Sequence, residues 1–187
     1  MPAIGGVLVV GGGTAGAAAA ILLADAGVHV DLVELKPDVT ALGSGITLQG
    51  NALRVLRQLG VLDECLAQGW PSEGLVLRAP DPAATVLAEL AEHRSGGPDL
   101  PAVHTCPPTL AQGAALALED AAVLTELLTT ADSVDDELLR AFADRRLDRV
   151  RTVVEASLQL ARWQLTHEQG DVPALMGRIA ALTSQPA

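Results

Sequence analysis

A short apolar run that stops at a glycine turn constrains this chain more than anything else in it. Val7-Leu8-Val9-Val10 is continuous and largely β-branched, which suits a buried parallel strand. Gly11, Gly13 and Gly16 follow at G-x-G-x-x-G spacing, with Thr14 and Ala15 between the last two. Gly11 permits a tight turn, Gly13 lets the backbone approach a pyrophosphate, and Gly16 lets a helix pack closely on the strand. Ala17 to Ala26 is rich in Ala, Leu and Ile and free of proline, so it should be that helix, with Gly27 ending it. Val28 to Val33 reads as the second strand and Glu34 stands at its end, 18 residues beyond Gly16. Strand, glycine turn, helix, strand and acid is how a protein holds a dinucleotide. The uncapped helix N-terminus faces the phosphates, and Glu34 can accept from both ribose hydroxyls. An acid at this position repels a 2′-phosphate, which favours FAD or NAD over NADP.

The competing reading of the same segment is a membrane span or a signal peptide. Ile4 to Ala24 is 21 residues without a charge, long enough to cross a bilayer. No Lys or Arg precedes it, and five glycines fall between Gly5 and Gly13, which the strand–turn–helix reading explains and an anchor does not. The net charge of −11 argues against nucleic acid as a partner. Cys65 and Cys106 make no CxxC pair, so a reducing cytoplasm is expected. His29, His93, His104 and His167 are scattered without metal-ligand spacing, and no metal site is expected.

Further along, Leu35 to Thr47 is loop-like and contains Lys36-Pro37-Asp38 and Gly43-Ser44-Gly45. Asn51 to Leu59 predicts a helix stopped by Gly60, and Val61 to Ala67 a short amphipathic one. Leu75–Arg78 and Thr85–Ala88 predict a hairpin through Pro80-Asp81-Pro82, and Glu92 to Pro108 a loop. Helix is expected from Ala114 to Leu128 and from Asp135 to Leu165. Arg140, Arg145, Arg146, Arg149 and Arg151 alternate with acids along the second of these, which reads as a solvated, ion-paired face. Glu119 and Asp120 read as solvated or packing charges at least as readily as chemical groups.

Beyond the glycine turn, three segments together resemble the FAD-dependent monooxygenases of the aromatic-ring hydroxylase type, the p-hydroxybenzoate and salicylate hydroxylase-like family. Ala41 to Leu56, followed by Leu59-Gly60, resembles the stretch after the family's ribose acid. His104 to Ala121, with Pro107-Pro108 and Gln112-Gly113-Ala114, resembles its second flavin motif. Arg140 to Ser157 resembles its C-terminal helix. The resemblance implies an α/β fold: a Rossmann-like FAD-binding core with the G-x-G-x-x-G βαβ unit, a small β-hairpin remnant of the substrate domain, and long C-terminal helices. It implies FAD as cofactor and NAD(P)H as transient reductant, with O2 used to hydroxylate an aromatic or polycyclic small molecule. Gly11, Gly13, Thr14, Ala15, Gly16, Glu34 and Lys36 would hold the ADP half. Gly45, Gln112, Gly113 and Ala114 would lie near the flavin, and Pro108 on the substrate side. No side chain is assigned as catalytic.

One departure from the family pattern organises the domain reading. The family carries a Gly-Asp pair immediately before the histidine-containing segment, where this chain has Pro101-Ala102-Val103 before His104. The chain reads as joined between Val103 and His104, lacking the family's central portion. That gives residues 1–72 as the N-terminal part of the FAD-binding domain, 73–103 as a hairpin and loop from the substrate domain, and 104–187 as the second flavin motif with the C-terminal helices. The hairpin's edges are then unpaired. The chain folds poorly alone, forms a homo-oligomer through the exposed strand edges, or is part of a longer protein. Only Trp70, Trp163 and Phe142 are aromatic, with no Tyr, which is sparse for an aromatic-substrate pocket. The alternative function is an inactive FAD-binding remnant or binding module.

Overall fold

The computed structural model describes residues 4–37, 46–72, 74–78, 82–91, 102–103, 110 and 112–187. Strand β1 (Gly6–Val10) leads through the glycine turn into helix α1 (Thr14–Asp25), which returns to strand β2 (His29–Val33). The strands pair in parallel from Gly6 opposite His29 to Val10 opposite Val33. Gly27, at φ +82°, ends α1 as expected. The long uncharged run is therefore strand, turn and helix, and no helix among the described residues is long and apolar enough to cross a membrane.

The expected burial of β1 is corrected. Val7 and Val9 face α1 and are half-buried, whereas Leu8 is 62% and Val10 78% exposed. Among the described residues β1 and β2 form a two-stranded sheet, covered by α1 on one side. Side chains alternate across a strand, so the other face stays open.

Helices α2 (Gly50–Gln58) and α3 (Leu62–Gln68) follow, with Gly60 at φ +71° between them. Strands β4 (Gly74–Arg78) and β5 (Val86–Ala91) make the predicted antiparallel hairpin, irregular between Leu77 and Arg78. Arg78 Nη1 donates to the Ala84 carbonyl at 3.0 Å and ties its turn. A second correction concerns the loop expected from Glu92 to Pro108. Its Ala102–Val103 is a short strand, β6, pairing antiparallel with β3 (Pro71–Ser72).

The rest is helical: α4 (Gly113–Thr130), α5 (Asp136–Thr166) and α6 (Val172–Ser184). Asp135 caps α5, accepting from the backbone N–H of Glu137 and Leu138 at 2.9 and 3.1 Å, and Asp171 caps α6 through Ala174. Helix α4 lies between two apolar clusters. On one side Ala115, Leu118 and Ala121 meet Ala18 of α1, Ala52, Leu53, Val55 and Leu56 of α2, and Leu62 of α3. On the other, Leu116 meets Leu110, Val153, Ala156 and Leu160 of α5, and Leu175 and Ile179 of α6. Each fully buried leucine, such as Leu53 at 0% exposure, contributes about 2 kcal/mol. Helix α4 is thus packed against α1, the helix that follows the glycine turn.

Candidate functional site

The glycine turn is built by steric necessity. Gly11 sits at φ +104°, a conformation side chains rarely adopt. A Cβ on Gly16 would run into the carbonyl of Gly11 and crowd Val9 Cγ1 at 3.3 Å, so α1 approaches the strand end closely because position 16 is glycine. A Cβ on Gly13 would meet nothing within 4 Å. Its hydrogen is therefore not demanded by the protein's own packing. Gly13 is the N-cap of α1 and offers no side-chain acceptor, with no acid in the first turn. The N–H groups at this exposed end, beside Thr14 and Ala15, are left for an outside acceptor.

Glu34 closes the turn. Its Oε2 accepts from the Gly12 backbone N–H at 2.7 Å, and its Oε1 from the Lys36 N–H at 2.9 Å. These donations, Lys36 first and then Gly12, hold the carboxyl below the usual glutamate range and keep it ionised. Parallel pairing of β2 with β1 sets Glu34 beside the turn, and Gly11 N donates to the Val33 carbonyl at 2.8 Å. Gly11, Gly13, Gly16 and Glu34 are therefore brought together, with Lys36 joined through its backbone. An open helix end, a turn without side chains and an adjacent carboxylate fit the phosphates and ribose of an adenine dinucleotide.

The second group forms at the start of α4. Asn51 of α2, fully buried, donates from Nδ2 to Gln112 Oε1 at 3.1 Å. Gln112 Nε2 donates to Gln49 Oε1, and Gln49 Nε2 to the Leu110 carbonyl at 3.0 Å. Gln112 is thus spent on anchoring the entry to α4. No side chain caps that helix, so the first-turn N–H groups at Gly113 and Ala114 have no side-chain acceptor. Gly45 and Pro108 lie outside the described residues, as do His104 and Pro107. Asn51 and Gln49 were not singled out by sequence reasoning; an Asn opening an otherwise apolar, buried helix face was the available signal.

The charges on α4 and α5 correct the expectation of a solvated arginine face. Arg146 and Arg149 are buried, and so is Glu119, only 2% exposed. Arg149 donates from Nε and Nη2 to the two Glu119 oxygens at 3.0 and 2.6 Å, while Arg146 reaches Glu119 at 3.0 Å and Asp120 at 2.5 Å. Arg54 of α2 lies 3.7 Å from Glu119. Arg54 and Arg149 also donate to carbonyls of residues 182–185, where the negative end of the α6 dipole gathers. Burial lowers the Arg54 pKa, partly offset by Glu119. Of the five arginines, Arg140 and Arg151 make the exposed ion pairs expected of all of them. Arg145 pairs with Glu126 at 3.0 Å, which raises its own pKa and lowers that of the acid. This buried network is structural: it locks α2, α4, α5 and α6 together. Among the described residues no group of His, Cys, Asp and Glu could hold a metal ion.

Comparison with known proteins agrees with this arrangement. Residues 6–96 match the FAD binding domain family. The chain is 29% identical over 190 residues to 6-hydroxynicotinate 3-monooxygenase of Bordetella bronchiseptica, covering 93% of this chain and 46% of that protein. It is 33% identical over 95 residues to the FAD-dependent urate hydroxylase of Klebsiella oxytoca, covering 49% of this chain and 25% of that protein. It is 38% identical over 97 residues to 3-amino-4-hydroxybenzoate 2-monooxygenase of Streptomyces cremeus, covering 49% and 24%. The chain spans about half the length of the first of these relatives, and less of the others. The chain is thus similar to an FAD binding domain over the glycine turn and, along most of its length, to one monooxygenase.

Proposed function

We propose that this chain binds FAD and supplies the nucleotide-holding part of a hydroxylase for small aromatic or polycyclic molecules, working in the cytoplasm with NAD(P)H and O2. The observation that carries this reading is the joint geometry of Gly11, Gly13, Gly16 and Glu34. A packing-enforced turn leaves open space at Gly13, in front of an uncapped helix end and beside an ionised carboxylate. Bound there, FAD supplies the redox chemistry that passes electrons from a nicotinamide to oxygen.

The chain's own residues then bind and orient. N–H groups at the start of α1, around Thr14 and Ala15, hold the pyrophosphate. Glu34 would accept from a ribose hydroxyl, and Lys36 would add a positive charge for the phosphates. The α4 N-terminus at Gly113 and Ala114, anchored by Gln112, would offer its positive dipole end to negative charge on the reduced cofactor.

A second reading is favoured by one observation. Trp70 is 76% exposed, so one of the chain's few aromatic side chains faces solvent instead of lining a pocket. On that reading the 187 residues bind FAD without turnover, as a binding module. Visible absorbance of the purified chain, with NAD(P)H oxidation followed with and without candidate aromatics, separates the two. Flavin with substrate-dependent turnover supports the hydroxylase, flavin without turnover the binding module, and no flavin refutes both.

A further inference from the structure

Helix α5 carries a long apolar seam that the fold leaves in solvent. Leu139, Leu147, Val154, Leu158 and Leu165 are 56%, 52%, 48%, 63% and 82% exposed. At the helical repeat they fall, with Ala143, Val150 and Ala161, within about 100° of the helix surface. From Leu139 to Leu165 the seam runs roughly 39 Å at 1.5 Å per residue. It adjoins the buried face of Arg146, Arg149, Val153, Ala156 and Leu160, and Val150 at its centre is half-buried against that face.

The order of the apolar residues along the seam, which Arg140 and Ser157 share, is a palindrome. It reads Leu139, Ala143, Leu147, Val150, then Val154, Leu158, Ala161, Leu165. Leu139 and Leu165 stand 13 residues either side of Thr152, Ala143 and Ala161 nine, and Val150 and Val154 two. Leu147 and Leu158 stand five and six away. A two-fold axis at the midpoint between Val150 and Val154, laid across two antiparallel copies of α5, therefore sets like against like, and the paired alanines let the backbones approach. A surface complementary to itself under one rotation is what an isologous dimer requires.

Charge and area agree with that occupant. The same rotation brings Asp144 within one turn of Arg162 of a second copy, and Arg162 to Asp144 in return; all are exposed. Arg151 comes equally near Glu155 and Arg151 of the second copy, so the Asp144–Arg162 pairs carry the complementarity. Acids and arginines alternate along this flank, which does not suit an anionic membrane surface. Five exposed aliphatic side chains present on the order of 500 Å² per copy, so a pair buries about 1,000 Å², the lower limit for a specific interface.

We infer that this face of α5 is a homodimer interface in which two copies pair antiparallel about the midpoint between Val150 and Val154. The inference is independent of the cofactor reading and uses neither strand edge.

Sedimentation velocity on the full 187-residue chain, from about 1 to 100 μM, tests it over the range where an interface of this size dissociates. The wild type should move from monomer to dimer. Leu147→Glu with Leu158→Glu should raise the dissociation constant at least tenfold while the helical circular dichroism stays unchanged. Because that variant could disturb folding, a charge swap accompanies it. Asp144→Arg alone should weaken the dimer, and adding Arg162→Asp should restore it, which a merely structural role for either residue would not produce. A wild type that stays monomeric throughout, a dimer that survives in the doubly charged variant, or a swap that fails to rescue overturns the proposal.

Discussion

Glu119 on α4 accepts from both Nε and Nη2 of Arg149 on α5, at 3.0 and 2.6 Å, with both side chains buried. A carboxylate taken this far from water is stable only because the guanidinium fork meets it in bidentate geometry and Arg146 supplies another donor. The ion pairs organise more than they stabilise, since apolar residues of similar volume often serve as well. Removing one partner is another matter. Glu119→Ala leaves two buried guanidiniums facing each other and should cost about 3–5 kcal/mol in urea denaturation. A loss below about 1 kcal/mol would mean that water reaches the site and that the network is not sealed.

The three glycines should separate by experiment, because each meets a different limit. Gly16→Ala drives a methyl into the Gly11 carbonyl and should lower both Tm and flavin retention. Gly11→Ala strains a backbone at φ +104° and should act in the same direction. Gly13→Ala meets open space in the protein alone, so Tm should stay near that of the wild type while FAD retention falls. Thermal melts beside flavin absorbance read both effects in one sample. Equal loss of Tm in all three variants would contradict the role given to Gly13.

The carboxyl of Glu34 has a sign-defined pH dependence. Its folded-state pKa lies below the ordinary glutamate value, because Lys36 and Gly12 donate to the ionised form. The stabilisation of the turn is therefore fully present above that value and is lost as pH falls through the lower, folded one. Above pH 5 the turn should be indifferent to pH. Glu34→Gln should remove the dependence and weaken FAD retention by about an order of magnitude, the size of one charge-assisted hydrogen bond. Flavin release followed by fluorescence between pH 3 and 7 is the measurement.

Asn51 tests whether the start of α4 depends on α2. Asn51→Leu keeps the branched shape with some added bulk, leaves Gln112 Oε1 without its buried donor, and should cost about 1–3 kcal/mol. A chemical-denaturation curve reads it, and the same variant should release flavin more readily if Gly113 and Ala114 hold it.

Much of this was legible in the sequence because it rests on short-range rules. Gly27 and Gly60 stop helices at positive φ, and Glu34 follows directly from the strand that parallel pairing sets beside the turn. What was not legible depends on long-range company. Val7 to Val10 has the composition of a buried strand; that only two parallel strands remain was legible, but which of its side chains face solvent was not. The pairing of Ala102–Val103 with Pro71–Ser72 joins residues some thirty apart in a segment without periodicity. Arg146 and Arg149 were read as solvated because acids interleave with them. Their register with Val153, Ala156 and Leu160, at alternating steps of three and four, marks them as inward-facing. Helical phase outweighs local charge density there.

The central claim is that an FAD molecule lies with its adenosine half across the Gly11–Gly16 turn. The most direct measurement is a titration of the purified chain with FAD, followed by quenching of flavin fluorescence, with and without excess ADP. One FAD bound per chain, displaced by ADP and weakened in Gly13→Ala, is the predicted result. No saturable binding, or binding that neither ADP nor Gly13→Ala affects, would contradict it.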